Sequence, residues 1–256
     1  MDDYYSFIKK VYKDIGVDLS LYKEKQMKRR LTSLRERRGF KSFTDYYEGF
    51  KLDQDLKKEF LNRITINVSH FYRNYKRWEV LKKEILPDLI KQKSKIKIWS
   101  AACSTGEEPY TAAMLLSDFF ELNQISILAT DIDEEALEQA KVGAYSKRSL
   151  DETPKDKIEK FFSEHNSTYL ISDELKKIVT FKKHNLLEDP YDGHFDLIIC
   201  RNVLIYFTEE AKLKVYQNFN QSLSKDGILF VGSTEQLFKP QEHHFEPVNT
   251  FFYKKF

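Results

Sequence analysis

The chain has 256 residues, 41% hydrophobic and 14% aromatic, enough for one large domain or for a medium domain beside a small one. Its formal net charge is only +2, so any attraction to a polyanion must come from local clustering of charge. No apolar run approaches the roughly 18–20 residues of a membrane span, and the two cysteines, Cys103 and Cys200, sit in separate motifs of a chain with no signal-peptide pattern. A soluble cytoplasmic protein without a disulfide is expected.

The first 75 or so residues read as helical, with no strand pattern. Tyr4, Phe7, Ile8, Val11 and Ile15 keep helical spacing, and Gly16 is a natural stop. Ser20 is the expected cap of a second helix carrying Met27, Leu31 and Leu34 and closed by Gly39. Ser42 precedes a third short helix with Phe43, Tyr46, Tyr47 and Phe50, and residues 52–64 predict a fourth. Residues 75–90 predict a connecting helix that Pro87 bends or ends.

From Ile96 the pattern alternates. Strands are predicted at 96–100, 126–130, 178–182, 195–200 and 227–232, and helices at 109–122, 134–141 and 209–223. Such alternation gives a mostly parallel sheet covered on both faces, an α/β fold. Residues 245–253 have no helix before the last strand, which predicts an antiparallel edge hairpin. A charged helix at 155–162 and a strand-like 169–172 interrupt the alternation, an insertion read as a small subdomain.

Ligands of open parallel sheets bind beyond the carboxyl ends of the strands. Four segments fall there: 100–108, 131–133, 184–186 and 201–203. The first joins a strand to a helix through a small-residue turn, and the second ends a strand in acid, the arrangement that holds nucleotide-containing cofactors. Glu107 and Glu108 at the helix start disfavour a pyrophosphate, which needs bare N–H groups. A ligand with a cationic end and no phosphate fits better, and S-adenosylmethionine is such a ligand. Asp131 is then the candidate for the ribose hydroxyls, Asp133 the cap of the following helix, Asn185 a candidate for the adenine edge and Glu108 for the ligand ammonium. Asn202 and Tyr206 are candidates for lining the methyl-transfer region, Tyr206 through its aromatic face. Arg73 is placed to pair with a carboxylate. His70 alone carries little weight, Cys200 reads as packing, and the histidines show no metal-ligand spacing, so no metal is expected.

Residues 23–41 hold nine Lys or Arg against two Glu. A solvated helix face and a docking surface for an acidic partner both account for such a run. The segment after residue 200 lacks the Asn/Asp-Pro-Pro-aromatic run common in amino-directed base methylation, which argues against N-methylation of bases without excluding other targets.

Together these pieces resemble the CheR family, the chemotaxis-receptor glutamate methyltransferases. The resemblance rests on Asn67-Val-Ser-His-Phe-Tyr-Arg-Asn74, Trp99-Ser-Ala-Ala-Cys-Ser-Thr-Gly-Glu-Glu-Pro-Tyr110, Ala129-Thr-Asp-Ile-Asp133 and Cys200-Arg-Asn-Val-Leu-Ile-Tyr-Phe207. It implies a Rossmann-like S-adenosylmethionine-dependent methyltransferase sheet (residues 94–256, with the small inserted β subdomain at about 144–178). Before it would come an all-helical domain (1–75) that docks on receptors and a connecting helix (76–93). It implies cofactor contacts from Asn67, Ser69, Arg73, Glu108, Asp131, Asn185, Leu186, Asn202 and Val203, with Arg73 and Tyr206 closest to the transfer. The implied reaction converts receptor glutamates to methyl esters and leaves S-adenosylhomocysteine. The partner would be the coiled-coil signalling region of a receptor, read by Arg29, Arg30, Arg35, Arg37 and Arg38, with neither nucleic acid nor membrane insertion involved. Ser69 and Tyr72 stand where the family often has Thr and Phe, and Cys103 replaces a small residue.

Overall fold

The computed structural model describes residues 3–65 and 67–256, so Met1, Asp2 and Ile66 of the expected helical domain lie outside the described residues. The chain divides into two units, Met1–Asn67 with Leu204–Val215, and Val68–Val203 with Tyr216–Phe256.

In the first unit, α1 (Asp3–Ile15) turns Tyr4, Phe7 and Val11 inward, and Gly16, at φ +75°, ends it as expected. Ser20 does not cap the next helix. It lies in a short 3₁₀ turn, Leu19–Leu21, where the Asp18 carboxylate accepts its N–H at 2.9 Å. Helix α2 (Glu24–Arg37) starts later and buries Met27, Leu31 and Leu34. The Ser42 hydroxyl accepts the Asp45 N–H at 3.0 Å and caps α3 (Phe43–Leu52), whereas α4 (Gln54–Thr65) begins two residues later than expected because Asp53 separates the helices. Aromatic rings fill the centre: Phe7 meets Phe43, Phe50 and Phe60, and Phe50 stacks on Phe60 at 5.4 Å. Residues 204–208 return to this unit, a membership not visible in sequence. The Thr208 N–H donates to the Leu21 carbonyl (2.9 Å), the Lys23 N–H donates to the Tyr206 carbonyl (2.8 Å), and Phe207 packs edge-on to Tyr22.

The second unit opens with α5 (Tyr75–Val80), a π-helical turn (Leu81–Ile85) and α6 (Leu86–Ile90). Pro87 neither ends nor breaks this run. The widened turn lets the Leu86 N–H donate to the Leu81 carbonyl, five residues back, just before the residue that has no N–H to give.

The main sheet has seven strands in the order β6-β2-β1-β7-β8-β10-β9, where β1 is Ile96–Ala101, β2 Ile125–Asp131, β6 Val179–Lys183, β7 Phe195–Cys200, β8 Leu223–Val231, β9 Phe245–Asn249 and β10 Phe252–Lys255. The first five run parallel, and the last two form the expected antiparallel hairpin at the edge. Helices α7 (Glu107–Leu116), α8 (Glu134–Val142) and α11 (Glu209–Ser222) connect strands. Helix α7 stops short of the expected residue 122: the Ser117 hydroxyl turns back onto the Met114 carbonyl (2.8 Å), and a 3₁₀ turn at Leu122–Gln124 leads into β2. Every residue of β7, the central strand, is buried, as a parallel strand covered on both faces must be.

The insertion folds into a three-stranded antiparallel sheet, β3-β5-β4, built from β3 (Ala144–Ser146), β4 (Phe162–His165) and β5 (Thr168–Ile171), with α9 (Lys155–Phe161) and α10 (Asp173–Ile178). Phe71 anchors residues 68–74 against it, edge-on to Tyr145 and Phe162, while its N–H donates to the Ser149 carbonyl at 2.9 Å. The buried Lys157 of α9 pairs with Asp118, which Lys82 also reaches at 2.7 Å.

Candidate active site

Strand β1 carries Ser100 beside Ala129 of β2 and Ile199 of β7, so the turns after all three strands open at one end of the sheet. The turn after β1 is tight. Ala102 and Ser104 hold positive φ angles, and Gly106 (φ +93°) starts α7 where a Cβ would lie 2.8 Å from that of Ala140. Only glycine lets α7 approach α8 so closely.

Asp131, at the end of β2, is buried and faces this turn. One carboxylate oxygen accepts the Ser104 N–H (2.7 Å) and the other the Asp133 N–H (3.0 Å). Burial nevertheless pushes its carboxyl up to about 6, beyond what these bonds offset. Asp133 caps α8, accepting the N–H groups of Glu135 and Ala136.

Glu108 takes the Ser100 hydroxyl at 2.9 Å and lies 3.6 Å from the Arg201 guanidinium. Burial still dominates and holds its carboxyl near 7 despite Arg201 and Ser100. Arg201 is itself buried against the rings of Trp78 and Phe230, and donates to the Arg73 carbonyl (2.7 Å) and the Asn74 side chain (3.3 Å). It therefore ties residues 73–74 to the end of β7. The Arg73 side chain donates to the Val68 carbonyl at 2.9 Å and adds positive potential at Glu108. Burial also raises the Glu107 carboxyl, which the hydroxyls of Thr105 and Ser69 partly offset.

Asn185 follows β6. Its side-chain oxygen accepts the Leu187 N–H (3.0 Å) and its own N–H reaches Asp189 (2.8 Å), so it shapes the turn that buries Leu186. Asn202 adopts a left-handed conformation (φ +63°) after β7, with Val203 next and partly exposed. The second unit thus brings together Ser69, Arg73, Glu108, Asp131, Asn185, Leu186, Asn202 and Val203 on strand-end turns and the 68–74 segment.

Asn67 and Tyr206 belong to the first unit. Asn67 donates to the Thr65 hydroxyl at 3.4 Å, and the Tyr206 ring lies under the Arg30 guanidinium at 5.2 Å. Of the basic residues singled out in sequence, Arg29 is exposed, Arg35 lies on the Phe43 ring, and Arg37 and Arg38 share Glu59. Cys103 and Cys200 are buried with thiols pushed well up by burial, which leaves packing as their role. Among the described residues no cluster of His, Cys, Asp or Glu is placed to hold a metal ion, and no described helix is long and apolar enough to cross a membrane.

Sequence reasoning missed Arg201 as the tie between Glu108 and the 73–74 segment, and missed Glu235 altogether. Glu235 is 2% exposed, and its carboxylate accepts the N–H groups of Asn202 and Gly232 at 2.5 and 2.9 Å. Arg201 lay inside a distinctive motif, but nothing in the Ser-Thr-Glu run at 233–235 pointed to that contact.

The family model "CheR methyltransferase, SAM binding domain" matches residues 67–253, and "CheR methyltransferase, all-alpha domain" matches residues 2–65. The chain belongs to the CheR methyltransferase family. Curated proteins named chemotaxis protein methyltransferase are similar over nearly the whole chain. Those of Listeria monocytogenes and Listeria innocua are each 43% identical over 99% of this chain and 97% of their own length. That of Borreliella burgdorferi is 37% identical over 92% of this chain and 88% of its own.

Proposed function

We propose that this CheR-family chain transfers the methyl group of S-adenosylmethionine to glutamate side chains of chemotaxis receptors, leaving glutamate methyl esters and S-adenosylhomocysteine. The observation that carries this reading is the acidic strand-end wall: Asp131 is buried, the Glu108 side chain is only 12% exposed, and their own partners do not offset that desolvation. The wall fits this cofactor and would repel a pyrophosphate. A cation beside Glu108 would hold the carboxylate ionised. Asp131 uses one lone pair on each oxygen for a backbone N–H, so further lone pairs can accept ribose hydroxyls. Asn185, Leu186, Asn202 and Val203 would border the adenine and the reacting end. The roles of Asn67 and Tyr206 rest on the family resemblance.

When bound, the cofactor supplies a methyl group on a sulfonium. The acceptor needs no general base, because a glutamate of ordinary pKa, about 4.3, is ionised at neutral pH. The residues here therefore align and exclude water, and no proton has to move. Arg73 would orient a carboxylate, the cofactor's or the acceptor's. The names of the relatives support a receptor as acceptor, and the exposed basic face of α2 around Arg29 suits an acidic coiled coil.

The test is transfer of tritiated methyl from S-adenosylmethionine to receptor-containing membranes, followed by alkaline treatment. Label on receptor protein, released as volatile methanol by base, is the expected result. Base-stable label would mean another acceptor atom, and no label despite cofactor binding would favour a non-catalytic sensor.

A further inference from the structure

The turn after β7 has an unusual support. Asn202 holds the left-handed region, which asparagine adopts more readily than other residues with a side chain, and its backbone N–H is anchored by a residue from another loop. The anchoring group is Glu235. One oxygen, Oε2, accepts both the Asn202 N–H (2.5 Å) and the Gly232 N–H (2.9 Å), and the Glu235 N–H donates to the Gly232 carbonyl at 3.0 Å. The loop is closed from the far side as well, where the Tyr216 hydroxyl donates to the Glu235 carbonyl (3.3 Å). Gly232 is needed for this closure: a Cβ there would lie 2.2 Å from Oε2 and 2.9 Å from the Asn202 nitrogen. Two loops after neighbouring parallel strands, β7 and β8, are thus pinned to each other through one buried carboxylate.

We infer that Glu235 is a positioning residue, which holds the Asn202–Val203 turn in the geometry the cofactor site requires without itself touching the cofactor. The inference rests on the proposed cofactor reading of the strand-end wall. The chain contains its own control. Asp196 is also a buried carboxylate clamping a backbone N–H, that of Lys97 (2.8 Å), with Lys93 as its second partner at 2.7 Å. It sits at the opposite, amino end of β7. Removal of either carboxylate leaves backbone N–H donors without their acceptor, those of Asn202 and Gly232 or that of Lys97, but only Glu235 holds a residue of the proposed site.

The experiment is calorimetric titration of the full chain and its variants with S-adenosylhomocysteine, beside thermal unfolding. Glu235→Ala is expected to bind about tenfold more weakly, which is about 1.4 kcal/mol. Glu235→Asp, too short to bring one oxygen to both N–H groups, should lose several-fold, and Glu235→Gln should regain most of the affinity because its amide oxygen can still accept. Asp196→Ala should unfold at lower temperature yet bind as the wild type does. Wild-type affinity in both Glu235→Ala and Glu235→Asp would overturn the inference, as would an equal loss in Asp196→Ala, which would make the effect one of stability. If Glu235→Ala does not fold, Glu235→Asp against Glu235→Gln decides. A wild-type chain that bound no S-adenosylhomocysteine would overturn the cofactor reading, and this inference with it.

Discussion

The two ends of the central sheet treat buried charge differently. At the amino end of β7, Asp196 is matched by the Lys93 ammonium and the Lys97 N–H, both within 2.8 Å. At the carboxyl end, Glu108 has a hydroxyl and a guanidinium 3.6 Å away, and Asp131 has two backbone N–H groups. Burial outweighs those partners and pushes the two carboxyls to about 7 and about 6. One end finds its partners within the chain, and on the proposed reading the other would be completed by the cofactor. Incompleteness of this kind costs stability, and proteins tolerate it where a ligand later supplies the missing interaction.

The comparison breaks most visibly at the acidic end. Asp131→Ala should weaken S-adenosylhomocysteine binding by at least about a hundredfold, since two hydrogen bonds to a charged group contribute about 1.5–3 kcal/mol each. Arg73→Ala should lower kcat by about a hundredfold while cofactor affinity falls less, as expected for a group that aligns reacting charge. Equal losses in kcat and affinity would reduce Arg73 to a binding residue.

A sharper test uses pH. Between about 4.5 and about 7 the folded chain keeps a proton on Glu108 that the unfolded chain has released, so ligand-free stability falls as pH rises through that window. A ligand ammonium needs the ionised carboxylate. Affinity for S-adenosylhomocysteine should therefore rise with pH and level off above about 7, where the ligand amine is still protonated. Asp131 adds a lower step near 6. Titrations in Glu108→Gln should lose the upper step and keep the lower one, and an unchanged profile would remove Glu108 from the ammonium role.

The smallest effect belongs to the helical unit. Arg29→Glu on the exposed face of α2 should change thermal stability by no more than about 0.5 kcal/mol and leave cofactor binding intact, while reducing methylation of receptor membranes. Arg37 and Arg38, already engaged by Glu59, should matter less than Arg29. Receptor methylation unaffected by Arg29→Glu would count against docking through this face.

The sequence by itself determined the strand–helix alternation, the parallel sheet with its antiparallel edge and the inserted subdomain. It also marked the strand-end segments that carry Glu108, Asp131, Asn185 and Asn202. These were legible because periodicity and turn chemistry are local: alternation marks strands, and a strand followed by small residues and acid marks a strand-end site. The second cap was misread because Asp18 and Ser20 both suit a helix start, and only the structure shows a 3₁₀ turn between them and α2. Pro87 does not end the run, because a π-helical turn comes just before it, and such a turn leaves no sequence signature. Tertiary structure alone decided that residues 204–208 pair with 21–23 in the helical unit, that Arg201 reaches back to residues 73 and 74, and that Glu235 clamps Asn202 from 33 residues away. Hydrogen bonds between distant segments depend on which loops the sheet order makes neighbours, and that order is set by how the whole core packs.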